Sequence, residues 1–291
     1  MTRLADPSRR FYRPVLVLLG LASLILTVYV LWMSFRDVSL LRAGRDKFIG
    51  LANYARIFAD PRAFWALVRT VFFTVLATGI EIVLGLAVVL YLDRNFAFKR
   101  VVRALLLVPI IMTPIVVGLT WRFIFDPASG MANYFLSKLG IQAMDWLGSP
   151  KVALYSVLIA DVWQWTPFVI LLAMAALDSA PTDPLDAARV DGAREWQVTW
   201  YVLLPLLRRA IAIVALIRAI DSIKAFDLFY AMTRGGPALS TETLNFYGYI
   251  VAFTNFDISY AITIAVILTI FTNFALLAMY GVLFPQRSEA L

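Results

Sequence analysis

Long blocks of apolar residues make up most of the chain, and polar residues are concentrated in the short stretches between them. A helix rises about 1.5 Å per residue, so about 20 apolar residues cross the roughly 30 Å hydrocarbon core of a bilayer. The pattern therefore predicts an all-α transmembrane protein with six spans. The predicted spans cover residues 14–34, 64–92, 104–124, 152–177, 200–220 and 260–283.

The composition agrees with a membrane protein and excludes several kinds of site. Of the 291 residues, 62% are hydrophobic and 15% are charged, whereas a soluble domain is nearer half apolar and a quarter charged. Cysteine and histidine are absent, which excludes disulfides, the usual zinc sites and Ser-His-Asp or Cys-His catalysis. We therefore predict no catalytic residue and no metal site. We assign the net charge of +7 to membrane flanks and not to nucleic acid binding.

Basic residues beside the spans predict the orientation of the chain. Four lie in the N-terminal arm, residues 1–13, and four lie in the loop at residues 93–103. The positive-inside rule places both segments in the cytoplasm, so that six spans leave both termini there. Residues 35–63 carry six basic residues and are nevertheless placed outside. We predict a cytoplasmic arm at residues 1–13 and a single six-span domain at residues 14–291.

Residues 181–199 interrupt the apolar pattern between the fourth and fifth spans, on the predicted cytoplasmic side. Asp183 suits an N-cap and Pro184 suits the first helical position, so a short helix is predicted to reach Val190. Gly192 then provides a turn residue that tolerates positive φ. The residues alone leave two interpretations open, an ordinary cytoplasmic connection and a helix that docks on another protein.

The same stretch resembles the EAA loop of the membrane subunits of bacterial ABC importers. That loop reads E-A-A, three residues, a glycine, about nine residues, and then I-x-L-P. Here the matching residues are Asp186-Ala187-Ala188, Gly192 and Val202-Leu203-Leu204-Pro205. Aspartate replaces the glutamate, which shortens the reach by one methylene, and valine replaces the isoleucine.

The resemblance continues through three further blocks, at residues 48–75, 105–133 and 226–253. These blocks are similar to segments of the maltose- and glycerol-phosphate-type sugar permeases, and together with the EAA loop they cover about residues 48–283. The T-x-G-G-P sequence at residues 233–237 is closer to the first of the two paired permeases. The resemblance implies a six-helix ABC importer permease fold, with a cytoplasmic coupling helix between the fourth and fifth spans.

The resemblance also implies function, partners and location. It implies a non-catalytic subunit of an ATP-driven importer for a sugar, polyol or related solute, in the bacterial cytoplasmic membrane. The expected partners are a second permease in a heterodimer, two copies of an ATP-binding subunit and an extracytoplasmic solute-binding protein. This chain has no nucleotide-binding loop, so ATP and Mg are expected on the partner ATPase. The residues expected to couple to that ATPase are Asp186, Ala187, Ala188, Arg189, Asp191, Gly192, Ala193 and Pro205.

Polar and aromatic residues within the spans are candidates for the solute path. They are Glu81, Asp161, Trp163, Gln164, Trp165 and Asn273. An amide and an aromatic ring suit a sugar, which has polar and apolar faces. Structural pairing, for Glu81 in particular, and helix packing are the alternatives. Since the two tryptophans point in different directions on a helix, at most one is expected to face the path.

Three further features bear on the path and on the mechanism. Pro109, Pro114 and Pro167 interrupt the third and fourth spans, and broken helices in a membrane often line a cavity. Gly235, Gly236 and Pro237 form either an outer gate or an ordinary turn. A stand-alone secondary transporter driven by an ion gradient is the main alternative function, and a membrane scaffold or intramembrane enzyme is the other.

Overall fold

A computed structural model describes residues 8–39, 46–92 and 99–283, and these residues are mainly helical. A short antiparallel pair of strands, β1 (Arg36–Asp37) and β2 (Lys47–Phe48), interrupts them. The helices are α1 Ser8–Ser34, α2 Ala52–Phe58, α3 Pro61–Leu92, α4 Lys99–Leu106, α5 Val108–Ile111, α6 Pro114–Ile124, α7 Met131–Lys138, α8 Ala153–Asp178, α9 Asp183–Val190, α10 Glu195–Gln197, α11 Leu204–Ile223, α12 Asp227–Met232, α13 Leu244–Phe253 and α14 Ile258–Leu283. A π-helical turn, Val198–Leu203, joins α10 to α11.

Five helical stretches in the described residues are long and apolar enough to cross a membrane. A sixth candidate, in the region of the third predicted span, is a pair of helices, Ala104–Ile111 and Pro114–Ile124, bent by 101°. The five unbroken stretches are Pro14–Ser34, Pro61–Tyr91, Ala153–Asp178, Glu195–Ile223 and Ile258–Gly281. Each overlaps one of the predicted spans, and the stretch in the region of the fifth predicted span begins at Glu195, five residues earlier than predicted.

The bend in the third predicted span lies where proline restricts the backbone. Met112 and Thr113 have ψ angles of 137° and 142°, which are extended values. Thr113 precedes Pro114, and a residue before proline is disfavoured in the helical region. Pro114 then opens α6 at a position where its missing N–H is tolerated. Pro167, in contrast, lies inside an α8 that continues from Ala153 to Asp178.

The chain divides into two compact units. The first lies within Met1–Phe64 and Gly248–Ile270, and the second within Trp65–Tyr247 and Phe271–Leu291. The single domain at residues 14–291 stays a prediction.

Helix α1 of the first unit exposes apolar side chains from Val15 to Trp32. Its most apolar 18-residue window, within Pro14–Ser34, contains no buried residue. Asn53 of α2 holds the end of α1 and the start of β1 through hydrogen bonds. Its Nδ2 donates to the carbonyl oxygens of Ser34 at 3.1 Å and of Arg36 at 3.0 Å. A helix that is apolar all round is suited to lipid or to a protein interior, so this surface fits the predicted first span.

In the second unit, α3 and α8 approach each other closely at Gly85. A Cβ atom added there would lie 2.6 Å from Cγ1 of Val169, which is far inside van der Waals contact. Nearby, Val89, Ile170, Ala173 and Met174 form a buried apolar cluster. Small residues allow close packing of membrane helices, where dispersion replaces the hydrophobic effect between them.

Gly85→Ala is expected to lower the thermal unfolding temperature of the purified protein, because overpacking a close contact costs about 1–3 kcal/mol. Gly79→Ala is the matched control, since Gly79 lies in the same helix and a Cβ there would meet nothing within 4 Å. Equal unfolding temperatures for the two variants in detergent would contradict the close packing at Gly85.

Candidate functional site

Three charged side chains from three helices meet in the interior of the second unit. Arg218 of α11 is 1% exposed, Glu81 of α3 is 0% exposed and Asp161 of α8 is 4% exposed. Nε and Nη2 of Arg218 donate to the two carboxylate oxygens of Glu81 at 2.5 and 2.8 Å. Nη2 also donates to Oδ2 of Asp161 at 3.0 Å. One guanidinium therefore joins α3, α8 and α11.

This ion cluster gives Glu81 the basic partner that the structural interpretation of this residue requires. A buried charge is costly unless it is paired and hydrogen-bonded, and Arg218 supplies both conditions. Glu81 is thus engaged in structural pairing with a basic group. Both carboxylates are among the path residues predicted from the sequence, but Arg218 is not, although a basic residue in an apolar span itself indicates a buried partner.

An open cleft of about 260 Å³ adjoins the ion cluster. Its lining residues are Pro114, Asp161, Gln164, Trp165, Arg218, Asp221, Lys224, Ala225, Phe226, Asp227 and Leu228. Cζ of Arg218 lies 4.7 Å from the centroid of the Trp165 ring, a distance typical of cation–π contact. The ion cluster thereby also fixes an aromatic ring in the wall of the cleft.

Gln164 brings an unpaired hydrogen-bond acceptor to the cleft. The side chain is 1% exposed, and Nε2 donates to the Met112 carbonyl at 3.1 Å. That carbonyl lies at the break before α6. Within the described part of the chain, Oε1 of Gln164 has no hydrogen-bond partner. A buried acceptor without a partner is unfavourable by about 1–3 kcal/mol, so a hydroxyl donor in the cleft would be stabilised there.

The structure places the six predicted path residues in different surroundings. Asp161, Gln164 and Trp165 line the cleft, whereas Glu81 contacts it only through Arg218. Trp163 is 41% exposed and packs against Trp121, with ring centroids 5.9 Å apart. Residues two apart on a helix point about 200° apart, which separates Trp163 from Trp165. Asn273 is an exposed residue of α14 that does not line this cleft.

The predicted coupling loop contains a short helix closed by a glycine turn. Helix α9 spans Asp183–Val190, and its N-cap is Thr182, so the assignment of Asp183 as N-cap is wrong by one residue. Gly192 has a φ of +84°, as the sequence predicts. The N–H of Ala193 donates to the carbonyl of Ala188 at 3.0 Å, and that of Gly192 donates to Arg189 at 3.1 Å. This pair of bonds is a Schellman motif.

Arg189 bridges the two helices of the coupling loop. Its Nη1 donates to Oδ1 of Asp186 at 2.9 Å, and its Nε donates to Oε1 of Glu195 at 3.1 Å. Hydrogen bonds to Glu195 and then to Asp186 raise the pKa of Arg189 above its ordinary value. Both pairs are exposed, and exposed pairs add little stability. Ala187 is also exposed, and Val190 is 87% exposed, so the helix presents a smooth, partly apolar surface.

Pro205 lies at a change of helix type. The π-helical turn Val198–Leu203 passes into α11, and Pro205 occupies the first turn of that helix. Because proline has no N–H, it cannot continue the bond pattern of the preceding turn and is accommodated best at a helix start. Single π-helical turns often occur at functional positions.

The predicted outer gate is a tightly bonded turn. Gly235 has a φ of +80°, and a Cβ there would lie 2.7 Å from the ring of Phe246. The Thr241 hydroxyl donates to the carbonyl of Gly236 at 2.7 Å, and Gly236–Pro237 is a cis peptide bond. The block has the structure of an ordered turn, and a role as a gate stays a prediction.

Comparisons with known proteins give the family. A sequence profile described as "binding-protein-dependent transport system inner membrane component" matches residues 81–289, more than half of the chain. The chain belongs to this family. It is 38% identical over 263 residues to a probable ABC transporter permease of Sinorhizobium fredii, covering 90% of this chain and 84% of the relative. It is 33% identical over 237 residues to a trehalose/maltose transport system permease of Thermococcus litoralis, covering 79% and 80%.

The fold of this permease is that of solved ABC importers. A bacterial alginate ABC transporter, crystallised with an alginate-bound periplasmic protein, matches it with a TM-score of 0.78 at 17% identity over 96% of each chain. The protein is thus a multi-pass membrane component of a binding-protein-dependent importer. It works with ATPase subunits, which hydrolyse ATP, and with a binding protein. The comparisons give no support to a stand-alone secondary transporter.

Arg218→Met is expected to destabilise the permease by about 3–5 kcal/mol, because it leaves two buried carboxylates without a cation. Lys224→Met is the control, since Lys224 is exposed near the same end of α11. Adding Glu81→Gln and Asp161→Asn to Arg218→Met should recover part of the loss. Thermal unfolding of purified protein measures all three, and an Arg218→Met variant as stable as Lys224→Met would refute the structural role of the cluster.

Proposed function

We propose that this permease transports a sugar, polyol or related solute and binds it in the cleft at Gln164 and Trp165. The observation that carries the proposal is that Gln164, whose Oε1 has no hydrogen-bond partner within the described residues, lines the same cleft as Trp165. A sugar offers hydroxyl donors around its rim and a C–H face that packs on an aromatic ring. The trehalose/maltose permease among the relatives supports a carbohydrate as the solute class.

We propose a heterodimer with a second permease, two copies of an ATP-binding subunit that hold ATP and Mg, and an extracytoplasmic binding protein. Both termini lie in the cytoplasm of a bacterial cell, and the chain lies in the inner membrane. In this arrangement the turn at Gly235, Gly236 and Pro237 faces outward and acts as a gate.

The coupling loop contacts the ATP-binding subunit through α9. Asp186, Ala187, Ala188, Arg189, Asp191, Gly192, Ala193 and Pro205 form or support that contact. Gln164 lies 14 residues before the end of α8, so the cleft is about 20 Å along the helix from the loop. The ion cluster ties α8 to α11 and α3, so movement of the loop is transmitted to helices that line the cleft.

Trp165→Ala is expected to lower solute uptake about tenfold, because it removes the stacking surface of the cleft. Trp163→Ala is the matched control, since Trp163 lies on the same helix and faces away from the cleft. ATP-driven uptake of radiolabelled trehalose into proteoliposomes measures both variants. Equal uptake by the Trp165 and Trp163 variants would remove the cleft from the path.

Gln164→Ala should likewise lower uptake while the assembled complex remains intact.

Gly192→Asp is expected to uncouple ATP hydrolysis from uptake, because it strains a position at φ +84° and adds charge where α9 meets the ATPase. Gly140→Asp controls for both changes, since Gly140 has a φ of +73° in an equivalent turn after α7 and equally open surroundings. The ratio of solute imported to ATP hydrolysed should fall at least severalfold in the first variant alone. A normal ratio for Gly192→Asp would contradict docking through this loop.

A further inference from the structure

The cleft carries more acidic than basic groups. Asp161, Asp221 and Asp227 line it together with two basic residues, Arg218 and Lys224. Glu81 lies directly behind Arg218 as a fourth carboxylate. With all groups ionised, the cleft and its immediate support hold a formal excess of two negative charges.

Nearby carboxylates oppose the positive charge of each of the two basic residues. The charge of Arg218 is engaged by both Glu81 and Asp161, at 2.5 to 3.0 Å, and its guanidinium faces the Trp165 ring. Lys224 is exposed, but Asp221 and Asp227 lie three residues before and after it in the same lining. The charge of Arg218 is thus compensated by its ion pairs, and the single positive charge of Lys224 is outnumbered by two carboxylates in the same lining.

Gln164, which also lines the cleft, has an unpaired hydrogen-bond acceptor and not an unpaired donor. Oε1 of Gln164 is buried without a partner in the described residues and accepts only from a donor such as a hydroxyl or an ammonium group. A carboxylate or phosphate placed against it would oppose lone pairs to lone pairs. The unpaired acceptor thus favours a solute with hydroxyl or ammonium donors, and the charge excess separately disfavours an anionic group.

We infer that the carboxylates of this cleft select an uncharged or cationic polyhydroxylated solute and reject anionic sugars. The inference rests on the proposed function, because it assumes that the cleft binds the solute, and it adds the charge class. Like charges brought together in a partly desolvated site repel each other strongly. The carboxylates therefore lower the affinity for an anionic solute relative to an uncharged or cationic one. Asp221 and Asp227 are the residues assigned to this discrimination, since both are exposed and outside the buried cluster.

The test measures binding to the permease pair assembled with its ATPases, without the binding protein, so that only the permease selects. Equilibrium dialysis with radiolabelled trehalose, in competition with the trehalose derivative in which one C6 hydroxymethyl is oxidised to a carboxylate, gives the ratio of the two affinities. Work at low ionic strength and pH 7 keeps screening small. Asp221→Asn with Asp227→Asn removes two negative charges, and Lys224→Gln is the opposing control.

The wild-type complex is expected to bind trehalose at least tenfold more tightly than the carboxylate. The double Asn variant should reduce that ratio about tenfold, and Lys224→Gln should increase it. Equal affinities in the wild type, or a ratio unchanged by the double variant, would overturn the charge rule while leaving the cleft as a sugar site. Absence of binding by either sugar would instead overturn the proposed carbohydrate site, and the charge rule with it.

Discussion

The second unit depends on a single guanidinium that satisfies two carboxylates inside an apolar protein. Arg218 is almost fully buried, and so are Glu81 and Asp161, which reach it from α3 and α8. In such surroundings a lone charge is strongly unfavourable, so the three helices are stable together only when all three side chains are in register. The apolar contacts around Gly85 permit many small adjustments, whereas this bidentate geometry permits very few.

Under the proposed function, the same cluster links structure to transport. Asp161 and Arg218 belong to both the cluster and the cleft wall, and Arg218 also orients the Trp165 ring. Any displacement of α8 against α11 must therefore either carry these groups as a set or break charged hydrogen bonds in the interior. A cleft built this way responds to helix movement as a unit, which suits a protein whose solute site is opened and closed by events at a distant loop.

The chain's pattern predicted most of the spans and the glycine turn of the coupling loop, because both follow from local rules. A run of about twenty apolar residues predicts a span, and a glycine at a turn position predicts a positive φ, without information on the rest of the protein. Pro114 indicates that the third span is interrupted. The bend angle of 101° cannot be predicted from the proline, because it depends on what the two helices pack against. The pairing of Arg218 with Glu81 and Asp161 joins residues 137 and 57 positions apart, and only the tertiary structure brings them together.

The break before α6 and the chemistry of Gln164 are parts of one arrangement. An unbroken third span would engage the Met112 carbonyl within its own helix, and the Gln164 amide would lose the acceptor that now fixes it. Because the break makes that carbonyl available, Nε2 is held, and Oε1 has no hydrogen-bond partner among the residues that the structure describes. A proline in one span thus determines which atom of a side chain in another span is hydrogen-bonded, and that side chain lines the cleft proposed to bind the solute.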